Sequence, residues 1–94
     1  MNLARPYRLG PSQTVAFTAT AGTIANPIGS MTNVVRVVAS SAAFIRVDNN
    51  PTATTSDAYI AAGIPEYIIC TPGQKVSAVQ VSAGGNLYVT ECSG

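Results

Sequence analysis

Glycine and proline interrupt this chain so often that little room is left for a helix. They fall at Pro6, Gly10-Pro11, Gly22, Pro27, Gly29, Pro51, Gly63, Pro65, Pro72-Gly73 and Gly84-Gly85. Most of the stretches between them run about 5 to 12 residues, which suits strands. Those stretches are rich in Thr, Val and Ile, whose β-branched side chains pack well on a pleated surface. No segment sustains an apolar i, i+3, i+4, i+7 pattern with capping residues at its ends. No repeat of about 20–50 residues is visible, so a solenoid or propeller is not expected. The 94 residues amount to one small domain. The expected fold is all-β, a small antiparallel β-sandwich or barrel of about seven to eight short strands. Residues 1–12 are expected to form an N-terminal arm and residues 13–94 a single β domain.

Alternation assigns faces within the strands. Tyr7 to Leu9 reads as an extended arm or a first edge strand. In Thr14 to Thr18, Val15 and Phe17 share a face. Asn33 to Ala39 places Val35 and Val37 on one face and Val34, Arg36 and Val38 on the other. That second face, two valines around an arginine, cannot be simply solvated. Ala43 to Asp48 turns Ala43, Ile45 and Val47 inward. With Ser40-Ser41 between them, these two strands are expected to pair as a hairpin. Asn49 to Asp57 is a polar loop, and Ala58 to Ile60 and Tyr67 to Cys70 are short strands. Pro72-Gly73 predicts a turn with glycine at positive φ. Lys75 to Val81 and Leu87 to Glu91 are expected to form a second hairpin through Ala83-Gly84-Gly85-Asn86. Val79, Val81, Leu87 and Val89 are assigned to the core.

Charge limits what such a domain can do. Charged residues are 10% of the chain, against about 25% in ordinary globular proteins. Five basic and four acidic residues give a net charge of +1, too little to neutralise many phosphates, so no nucleic-acid partner is expected. No apolar run reaches the roughly 18 residues of a membrane helix, and no membrane partner is expected. The first eight residues lack the apolar region of a signal peptide, so the expectation is synthesis and use without Sec export. Histidine and tryptophan are absent, which removes the commonest general base and metal ligand. Cys70 and Cys92 fit no zinc spacing and have no histidine to activate them; free thiols are favoured, with a single bridge as the alternative. Asp48 and Asp57 flank one loop and, with Asn49 and Asn50, could hold Ca²⁺. The simpler reading has each Asp bonding turn amides. Gly84-Gly85 lacks the Lys-Ser/Thr and the helix of a phosphate loop. The expectation is a protein without catalytic residues, cofactor or metal.

The strands must also expose their outer faces, which carry Thr, Ser, Ala, Val and Tyr where charge would normally blunt aggregation. Such a surface is expected to be covered by copies of the chain or by a larger partner. Arg5-Pro6-Tyr7-Arg8 joins two of the five basic residues to residue types enriched in interfaces. With Thr52, Thr54 and Tyr59, these four are the candidate interface residues.

Several segments, taken in order, carry a resemblance. They are Leu3 to Gly10, Val35-Arg36-Val37-Val38, Asn50-Pro51-Thr52-Ala53-Thr54, Ala62 to Tyr67, Pro72 to Ala78 and Leu87 to Glu91. The chain resembles the small β-rich structural proteins of tailed bacteriophages, made among their head and tail components. The resemblance implies a virion component, assembled in the host cytoplasm, and no catalytic residue. Its expected role is a capsid decoration (cement) protein bound outside the major-capsid lattice. The expected partners are itself and the major capsid protein. A homotrimer is favoured, because a shell of hexamers offers many local three-fold positions. The alternative is a tail, neck or fibre module that binds another virion protein or a host-surface glycan or receptor.

Overall fold

The computed structural model describes residues 8–93. Eight strands follow one another: β1 (Arg8–Phe17), β2 (Gly22–Thr23), β3 (Val34–Ala39), β4 (Ala43–Asp48), β5 (Ala58–Ile60), β6 (Glu66–Ile69), β7 (Lys75–Gln80) and β8 (Gly85–Ser93). They form two four-stranded sheets, ordered β1-β8-β3-β6 and β2-β7-β4-β5, and their ladders are antiparallel. The fold is therefore all-β and built as a sandwich.

The pairing has a simple logic. The first strand pairs with the last, the second with the second last, and so on inward to β4 with β5. One long antiparallel ribbon, doubled back at residues 49–57, is rolled up so that β3 also meets β8 and β4 meets β7. This is the strand order of a jelly roll, in which rolling the ribbon leaves few open edges.

Side chains turned between the sheets make the core. Phe17, Val35, Val37, Leu87 and Val89 come from the first sheet, Ala43, Ile45, Ile60, Val76 and Ala78 from the second. Ile24 and Ile28, from the β2–β3 connection, join them. That connection is tied down at both sides. Gln13 exchanges two hydrogen bonds with the backbone of Asn26, and the Glu91 carboxylate accepts from the Gly29 N–H and the Thr32 hydroxyl. At Gly22 the sheets draw together so closely that a Cβ would stand 2.1 Å from the Ala16 carbonyl oxygen, which only glycine permits.

Several expectations fit. Val35, Val37, Ile45, Leu87 and Val89 are buried, and Val47 packs against the core from a half-buried position. The Pro72-Gly73 turn forms, closed by the Gln74 N–H donating to the Thr71 carbonyl, with Gly73 at φ +92°.

Three corrections follow. Neither expected hairpin exists: β3 and β4 lie in different sheets, as do β7 and β8. Each short connection is an arch that carries the chain across the core rather than back along the same sheet. The face of β7 is also shifted by one residue. Val76 and Ala78 point inward opposite Val47 and Ile45, while Val79 lies on the outer face opposite Phe44. Finally, Val81 falls beyond the strand and is 42% exposed. The cause of the shift is that Val76, Ser77, Ala78 and Val79 are all buried, so β7 carries no alternation to read. Residues 8–12 of the expected arm run within β1, with an irregularity in register between Leu9 and Ser12.

Candidate functional site

The two outer faces of the sandwich are treated differently. Over the second sheet the 49–57 loop folds back and covers β7. Pro51 and Ala53 are buried. The Ala53 N–H donates to Ser77 Oγ at 2.9 Å, and Thr23 Oγ1 donates to the Pro51 carbonyl at 3.1 Å. These contacts explain how Ser77 is wholly buried on an outward position. The loop's far end is fixed by Asp57, whose carboxylate accepts from the Thr54 N–H at 2.7 Å and the Thr54 hydroxyl at 3.2 Å. Arg46 reaches Asp57 at 3.3 Å and Asp48 at 3.5 Å. The Thr54 amide, ahead of the Thr54 hydroxyl and Arg46, holds the Asp57 carboxyl below its ordinary pKa despite partial desolvation. Asp48 also accepts from the Asn49 N–H at 2.8 Å, so both aspartates bond loop amides, as the simpler reading expected, and both reach the Arg46 guanidinium.

Over the first sheet no such cover is seen among the described residues. Register sets out its outer face in rows. Leu9, Cys92, Val34 and Ile69 stand abreast across β1, β8, β3 and β6. Ser12, Thr90, Arg36 and Tyr67 form the next row, and Thr14, Tyr88 and Val38 the third. Ile69 is 84% and Leu9 65% exposed. Tyr67 and Tyr88 are also exposed, and Val34, Arg36 and Val38 are half-buried. Ser12 and Thr90 share a hydroxyl–hydroxyl bond of 2.8 Å. Arg36 is the only charged residue in these rows, and it belongs to no ion pair among the described residues. On this face large apolar side chains thus stand around a single cation.

Cys70 and Cys92 are free and buried. β3 lies between them: the Cys70 N–H donates to the Asn33 carbonyl, and Cys92 stands opposite Val34. Two strand spacings, about 9.5 Å, exceed the roughly 7 Å that a disulfide can span. Burial pushes both thiols up. At Cys70 the charges of Glu91 and Cys92 add to it, and at Cys92 the Arg36 N–H and charge oppose it. Both are therefore weak nucleophiles at neutral pH.

The sequence-derived interface residues separate. Arg5, Pro6 and Tyr7 lie outside the described residues. Arg8 is exposed at the start of edge strand β1. Thr52 and Thr54 are exposed on the loop over the second sheet. Tyr59, 59% exposed, meets Phe44 edge-on with ring centroids 6.1 Å apart on that sheet's outer face. The structure thus puts Arg8 on one sheet and the other three on the opposite side. Ile69, Leu9 and Tyr88 were not among the sequence candidates; only the apolar–cationic face of β3 signalled the surface they share. Among the described residues no pocket opens, no group of His, Cys, Asp and Glu could hold a metal, and no helix could cross a membrane. No protein-family model, curated protein or solved structure matches the chain.

Proposed function

We propose that the chain is a non-enzymatic structural protein of a tailed-phage virion: a head decoration protein that binds itself and the capsid lattice and stiffens it. The observation that carries this reading is the outer face of the first sheet, where Leu9, Ile69 and Tyr88 stand exposed and no loop of the described residues lies over them. The jelly-roll strand order adds an analogy, since viral capsid domains use it as lectins and cupins do. The mechanism is repeated burial: one small contact is weak, but a shell presents it many times. The test is quantitative mass spectrometry of purified particles from the phage that encodes the chain. Hundreds of copies per particle are expected. A handful would favour the neck, tail or fibre alternative, and absence from the particle would overturn the proposal.

A further inference from the structure

We infer that the outer face of the first sheet docks a different protein rather than a second copy, and that the partner surface is apolar with a carboxylate placed opposite Arg36. The inference rests on the reading of the chain as a lattice-binding protein, and adds the chemistry that its partner must present.

The charge of the face decides the occupant. Arg36 sits in the middle row, with Val34 and Val38 two residues away on the same strand face and Thr90 and Tyr67 opposite it. It is already half-buried and without a counter-ion among the described residues. Any cover excludes more water from the guanidinium, which costs free energy unless the cover brings an acceptor, best of all a carboxylate that takes two parallel N–H bonds. A second copy is poorly equipped to do this. Asp48 and Asp57 hold Arg46 on the other sheet. Glu91 faces the opposite way, towards Gly29 and Thr32. Glu66 pairs with inward-facing Val37, so it belongs to the other face of β6. A two-fold contact of this face with itself would therefore set Arg36 towards Arg36 of the second copy with no carboxylate between them.

Size points the same way. Four strands about 4.8 Å apart and three rows about 7 Å apart span roughly 300–400 Å², well below the ~800 Å² per partner of a standard stable interface. A dimer resting on this face alone would be weak. A partner repeated across a shell does not need a strong single contact.

The probes are two short synthetic peptides of alternating Val and Thr, one with a central Glu and one with a central Lys, titrated into the ¹⁵N-labelled full chain. The expected result is amide shifts on β3, β6 and β8, with the Glu peptide at least about tenfold tighter than the Lys peptide. Arg36→Glu should reverse that preference. Arg36→Gln, which keeps the packing of the stem if the reversal variant folds poorly, should abolish it. Val38→Asp should weaken both peptides. Shifts confined to β4 and β5, no binding, or a preference unchanged in the Arg36 variants would overturn the inference. So would a concentration-dependent dimer in sedimentation equilibrium that Val38→Asp dissociates, because a second copy would then be the occupant. Charge-selective binding by a chain absent from virions would sink the virion reading alone, and a chain abundant on virions that ignores the peptide's charge would sink this one alone.

Discussion

The two arches at one end of the sandwich should be energetically coupled, because each holds the other's backbone. The β3–β4 arch offers Ser40 and Ser41; the β7–β8 arch offers Gly84 and the start of β8. The Ser40 N–H donates to the Asn86 carbonyl at 2.9 Å, and the Asn86 N–H donates to Ser40 Oγ at 2.8 Å. Ser41 Oγ donates to the Gly84 carbonyl at 3.0 Å. A Cβ on Gly85 would stand 2.7 Å from Ser40 Oγ and 3.0 Å from Ser41 Oγ. Gly85 does not have positive φ, so Gly85→Ala perturbs the contact rather than the backbone. To admit the methyl group, the Ser40 hydroxyl must swing away and release the Asn86 N–H. Overpacking of this kind costs about 1–3 kcal/mol. Ser40→Ala loses the same hydrogen bond, worth about 1 kcal/mol, but leaves room for the methyl. The double variant should therefore cost about 1 kcal/mol less than the sum of the two single costs. The crowding from Ser41 is common to both backgrounds and cancels in the cycle. Urea denaturation at constant m-value measures all four proteins. Costs that add to within about 0.3 kcal/mol would mean that the arches do not touch, and that each closes its own hairpin.

Leu87→Ala should cost ~2–5 kcal/mol in the same assay, since Leu87 is fully buried between the sheets; a loss below 1 kcal/mol would place the core elsewhere. Asp57 has its folded pKa below the ordinary 3.8, so the stability it supplies is present above that value and is lost as pH falls through the lower, folded one. Asp57→Asn should therefore flatten the acid limb of the stability–pH curve below about pH 4, and an unchanged limb refutes the assignment. Both thiols should resist a disulfide reagent in the native protein at pH 7 and react promptly in denaturant, because burial raises both pKa values. Rapid native labelling, or a reductant-sensitive monomer band, would contradict the packing around β3.

Local chemistry was legible where one face alone is buried. β3 alternates along its whole length and β8 from Asn86 to Val89, and their inward valines and Leu87 read off directly. The Pro72-Gly73 turn was legible because its dihedrals demand those residue types. The partner of each strand was not. A short Ser- or Gly-rich link can close a hairpin or cross the core as an arch, and its composition is similar in both cases. What distinguishes them is contact between two links about 45 residues apart, which no local pattern encodes. β7 was misread for a related reason: its outward Ser77 and Val79 are covered by a loop arriving from residues 49–57.

The same difference in cover governs the candidate site. Both sheets present apolar residues outward, Phe44 and Val79 on one, Val34, Val38 and Ile69 on the other. On the second sheet the chain supplies its own lid, where Ala53 gives the buried Ser77 a donor, and at its edge Asp57, with Asp48 at the end of β4, gives the exposed Arg46 its counter-charges. On the first sheet Arg36 has no described counterpart of that kind. Sequence could show an arginine between valines on a strand, but not which of two similar faces the loop would claim. Once the loop is placed, the remaining face is defined by what it still lacks. Its aliphatic side chains gain from any dry cover, whereas the guanidinium gains only from a cover that carries an acceptor. In the docking proposed above, apolar area would draw a partner to the first sheet, and Arg36 would select among partners by penalising every surface that buries it without a carboxylate.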